Sequence, residues 1–63
     1  MTKAEKIAIA EKRIAECEER RRYFAAQVEA QPEHRELYIG MCESETAMIE
    51  EIRDAIIKAL LSK

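Results

Sequence analysis

The stretch Val28-Glu29-Ala30-Gln31-Pro32-Glu33-His34-Arg35-Glu36-Leu37 decides the fold, because it holds the only proline of a 63-residue chain and divides two runs of helix-spaced apolar residues. Proline lacks an N–H and its ring pushes the preceding residue out of helical geometry, so Gln31 ends one helix. Pro32 is tolerated at the first position of the next helix, where a donor would be unpaired anyway, and Glu33 follows at that helix's positive end. The connection, about residues 30–33, is short, and no Gly-rich or Ser-rich segment accompanies it. Two such helices fold back antiparallel.

Toward the N-terminus, Thr2 and Glu5 have the spacing of a capping box, which starts the first helix near residue 2. From there Ile7, Ala10, Ile14, Cys17, Arg21, Phe24 and Val28 recur at alternating steps of three and four, the spacing of one buried seam. In the second helix, at 100° per residue, Tyr38, Cys42, Ile49, Ile56, Ala59 and Leu60 cluster, with Ile52 at the shoulder. Leu37, Met41, Met48 and Ala55 continue from one edge, and Ile39 and Ile57 from the other. The apolar arc therefore spans about 200°, wider than one partner helix covers. The expected architecture is all-α: a single domain over residues 1–63, with helix 1 about 2–30 and helix 2 about 33–61, an antiparallel two-helix hairpin that self-associates into a helical bundle. A domain this small gains little stability from its own core, which favours oligomerisation. The assembly or partner surface is expected at Leu37, Met41, Met48, Ile49, Ile52, Ala55 and Ile56. Gly40 inside the second helix costs about 1 kcal/mol relative to Ala, so either something approaches closely there or it is tolerated near the helix start.

Composition excludes several classes. Cys17 and Cys42 have no CxxC spacing and fall on apolar stripes, where a free thiol behaves as a small hydrophobe. With no leader pattern in view, they read as reduced, structural cysteines of a cytoplasmic protein. No apolar run approaches the roughly 20 residues of a membrane span. Residues 1–30 carry seven Lys/Arg against six Glu, and residues 31–63 four against seven acids, so neither half has the basic excess of a general nucleic-acid binder. The single histidine, His34, has no Gly-rich phosphate loop, HExxH motif or Ser-His-Asp set around it, and no cofactor is expected. A metal site of Cys17, Cys42 and His34 is not expected either, since the antiparallel register sets Cys17 opposite residues near 47. The chain is expected not to be an enzyme.

One run, Arg20-Arg21-Arg22-Tyr23-Phe24, interleaves basic and aromatic residues as a nucleotide surface does. Arg20 follows Glu16 by four and Arg22 follows Glu18 by four, so these two read as ion pairs on a solvated face. Arg21 points into the seam, where it either pairs with Glu45 across the hairpin or waits for a phosphate. Tyr23 points away from the seam, and His34, Arg35 and Tyr38 form a second basic-aromatic group near the turn. Arg21, Tyr23, His34, Arg35 and Tyr38 are the candidate ligand-binding residues, and on assembly the His34, Arg35 and Tyr38 group is expected to frame an anion pocket between subunits.

The segment from Phe24 to Leu60, with Val28, Pro32, Arg35-Glu36 and Ala55-Ile56, is similar to the helical hairpin of phage counter-defence sponges. That resemblance implies an oligomer that sequesters cyclic-nucleotide or related signals of CBASS-type and Thoeris-type immune systems. A related implication is a phage-type inhibitor that binds a host protein through the Met and Leu face. The start Met1-Thr2-Lys3, with Glu5-Lys6, Cys42-Glu43-Ser44 and the two-helix plan, resembles the Rop family of plasmid copy-control proteins, RNA-binding four-helix bundles. Where that family presents Asn, Phe, Gln and Lys along its first helix, this chain has Ala10, Ile14, Glu18 and Ala25, so RNA ranks behind the other partners. A purely structural dimer stays open. The expectation is a non-enzymatic homo-oligomeric binding protein, with nucleotide sequestration first and host-protein inhibition second.

Overall fold

A computed structural model describes residues 1–62, which form a hairpin of two long helices, α1 (Lys3–Ala30) and α2 (Arg35–Leu61). The backbone extends over 50 × 14 × 12 Å. The capping box forms as the sequence requires: Glu5 N–H donates to Thr2 Oγ1 (3.1 Å), and Thr2 N–H donates back to Glu5 Oε1 (3.3 Å). At the other end of α1, Gln31 leaves helical geometry at φ −129° and ψ 73°, as a residue before proline must. Pro32–His34 then make one turn of 3₁₀-helix, with His34 N–H donating to Gln31 O (3.0 Å), before α2 begins. This tighter turn reverses the chain without any positive-φ residue among those described. At the open end Lys3 Nζ donates to Ser62 O (2.6 Å), joining the start of α1 to the end of α2.

The interior is one seam. Cys17 and Ile49 are each 1% exposed, and the other expected seam residues of α1, from Ile7 to Val28, are half-buried. In α2, Tyr38, Cys42, Ile52, Ile56 and Ala59 are half-buried beside Ile49. Leu60 departs from expectation: it is exposed, not buried in the seam. Ile7, the first large apolar seam residue of α1, shares a cleft with Ile56 and Ala59, and Leu60 lies beyond it toward the open end, where Lys3 meets Ser62. Among the described residues no helix is long and apolar enough to cross a membrane.

A methyl group built on Gly40 meets nothing within 4 Å, so neither neighbouring helix requires a glycine there. Gly40→Ala should therefore stabilise the helix by about 1 kcal/mol, read as a rise in the thermal midpoint. A fall would show that something approaches Gly40 closely.

Candidate functional site

The polar centre of the hairpin is built by Arg20, not Arg21. Arg20 Nε donates to both oxygens of Glu45, at 2.7 and 3.3 Å, and its Nη2 donates to Cys17 Sγ at 3.2 Å. Glu45 is only 7% exposed, and this charge-assisted contact compensates its desolvation. The hydrogen bond to Glu45 holds the Arg20 guanidinium pKa above its ordinary value, although partial burial opposes it. Arg21 instead donates through Nη1 to Thr46 Oγ1 (3.1 Å). Thr46 Oγ1 in turn donates to Cys42 O (3.0 Å), the back-bond of a helical threonine, and Cys42 Sγ donates to Arg21 O (3.7 Å). The expected Arg21–Glu45 pair is thus replaced by two neighbouring contacts, Arg20 with Glu45 and Arg21 with Thr46. No buried side-chain nitrogen or oxygen among the described residues lacks a partner.

The reason lies in side-chain reach. Arg20 and Arg21 flank the seam on opposite sides, and so do Glu45 and Thr46; each long guanidinium takes the acceptor on its own side. The expected intrahelical pairs give way accordingly. Arg20 turns across the hairpin rather than to Glu16, and Glu18 meets Arg53 (3.6 Å) rather than Arg22. Thr46 is the residue that sequence reasoning missed, and its signal was its place beside Cys42 and Ile49 at the seam's shoulder. A charge exchange separates the two assignments. Arg20→Glu should lower the thermal midpoint, and adding Glu45→Arg should restore most of the loss, whereas Arg21→Glu with Glu45→Arg should not be rescued. Rescue of the Arg21 exchange alone would return the pair to Arg21.

The five candidate ligand-binding residues do not converge within one hairpin. Phe24 links two of them: its ring centroid lies 5.7 Å from Tyr23 in an edge-on arrangement and 6.3 Å from Tyr38 at a 30° tilt. Tyr23 is largely exposed and Tyr38 half-buried, so this aromatic cluster is open to solvent on one side. His34 and Arg35 line a shallow cleft with Pro32, Glu33, Glu36 and Leu37, and that cleft takes in none of the other three candidates. Arg21 lies half-buried against Thr46.

The candidate assembly residues divide by side of α2. Ile49 is enclosed between the helices and offers no free surface, so its place is the hairpin interior rather than a subunit interface. Ile56 is half-buried, sharing a cleft with Ile7, Ala10 and Ala59. Leu37, Met41, Met48 and Ala55 are exposed. Met48 and Ile52 border a cleft with Cys17 and Arg20, and Ile52 and Ala55 border another with Ile9 and Ala10, so this row lies on one broad face shared with α1. The opposite face holds a groove between Ala25, Val28, Ile39, Cys42 and Ala47, rimmed by Glu29, Glu43 and Glu50. No protein-family model, curated protein or solved structure matches the chain.

Proposed function

We propose that the protein is a non-enzymatic, homo-oligomeric helical-hairpin module whose assembled form binds and withholds a phosphorylated small ligand of the cyclic-nucleotide class. One observation carries the assembly: the hairpin exposes 5037 Å², whereas a compact monomer of its 7.3 kDa would expose about 4,200 Å². The elongated shape leaves apolar side chains uncovered. Ten large apolar side chains are exposed among the described residues, against two apolar residues fully buried, a ratio that favours further association.

The ligand reading is supported by the chemistry gathered near the turn. The Tyr23–Phe24–Tyr38 cluster offers flat faces on which a base stacks, and Arg35 with His34 offers donors for a phosphate, but one hairpin keeps them in separate places. A second copy packed against α2 would wall these groups into one site.

Native mass spectrometry with and without a panel of cyclic mono- and dinucleotides tests both halves of the reading. The expected result is an oligomer that retains nucleotide and melts higher, by the equivalent of about 2.7 kcal/mol at a hundred times the dissociation constant. Arg35→Ala and Tyr38→Ala should each diminish that shift. An oligomer that retains no nucleotide overturns the ligand half alone, and a monomer overturns both.

A further inference from the structure

We propose that the exposed face of α2 is covered by the same face of a second copy, the two α2 helices running antiparallel with their two-fold axis beside Met48. The inference rests on the self-association reading above and adds the interface, the direction and the register.

The row itself is self-complementary. Counting from Met48, Met41 lies seven residues before and Ala55 seven after; Leu37 lies eleven before and Ala59 eleven after. The large side chains are on the N-terminal side and the small ones on the C-terminal side. An antiparallel pairing centred on Met48 sets Met41 against the partner's exposed Ala55 and Leu37 at the level of the partner's Ala59, a small side chain already half-buried beside Ile7, so large meets small. A parallel pairing would set Met41 and Leu37 against their own copies and Ala55 and Ala59 against theirs, crowding one end and leaving a void at the other. Exposure follows the row. Leu37 is 57% exposed, Met48 44% and Met41 37%, surface that a partner can still cover.

Area agrees with this occupant, and charge does not prevent it. The excess surface of about 850 Å² per chain is close to the roughly 800 Å² that each partner buries in a standard interface. The same register sets Glu45 opposite the partner's Glu51, a contact between acids that would oppose pairing if both were bare. Glu45 is 7% exposed and already held by Arg20, so it does not meet the partner as a bare charge, and Glu51 borders a cleft that contains Arg13 and Arg20 beside Glu16. The arrangement also gives every helix antiparallel neighbours, with Ile9 of α1 on the covered face.

Three cysteine variants, Met41→Cys, Met48→Cys and Ala55→Cys, each made with Cys42→Ala, test the register by crosslinking of the folded protein with a short bifunctional maleimide. Cys17 is 1% exposed and contributes no background, and circular dichroism confirms that each variant is helical. Met48→Cys should crosslink to itself about tenfold or more above the Cys42→Ala parent, because the axis holds the two thiols at high effective concentration. Met41→Cys and Ala55→Cys should each stay near background alone and crosslink when refolded together. Self-crosslinking of Met41→Cys and Ala55→Cys would mean a parallel pair and overturn the inference. Sedimentation of the same samples separates the remaining failures: a dimer that no variant crosslinks places the interface elsewhere while self-association stands, and a monomer removes both.

Discussion

Ile49→Asp should abolish helicity and assembly together. Ile49 sits at the middle of the seam, 1% exposed, and the guanidiniums of the hairpin centre, Arg20 and Arg21, are already engaged by Glu45 and Thr46. An uncompensated charge at such a place destabilises by more than about 4 kcal/mol. A core of this size supplies only about 3–5 kcal/mol, so the substituted chain should be largely unfolded at room temperature. Far-ultraviolet circular dichroism reads the outcome directly. Retained helicity would mean that the faces of α2 are wrongly placed.

The second large effect should come from Phe24→Ala. Phe24 is the centre of the aromatic cluster, touching Tyr23 and Tyr38, and it joins α1 to α2 next to the turn. Full burial would put the loss at about 3–5 kcal/mol, but half-burial reduces it to about 2 kcal/mol. For a chain of this length that corresponds to a fall of about 8–16 °C in the thermal midpoint. A fall under about 3 °C would show that the ring contributes little to closing the hairpin near the turn.

The elements were legible in the sequence because each depends on local chemistry. Thr2 and Glu5 cap α1, Pro32 breaks the chain, and the three-four spacing from Ile7 to Val28 describes the buried face of α1 residue by residue. Contacts between long side chains were less legible. Periodicity gives the direction of a Cβ to within a fraction of a turn, and that is too coarse to decide whether Arg20 or Arg21 reaches Glu45. Leu60 was misplaced for a related reason: its wheel angle is right for the seam, but it lies past Ile7, the first large apolar seam residue of α1. Of the candidate site, the aromatic contact between Phe24 and Tyr38 follows from an antiparallel register, whereas a pocket joining Tyr23, His34 and Arg35 would depend on how copies meet. That geometry is absent from the period of a single chain.

Sedimentation equilibrium of the full chain at micromolar concentration, with helicity followed on the same sample, tests the central claim that the hairpin completes itself by assembly. The predicted result is a helical species of twice the 7.3 kDa chain mass, with a thermal midpoint that rises with protein concentration. A fully helical monomer whose midpoint does not change with concentration would contradict it.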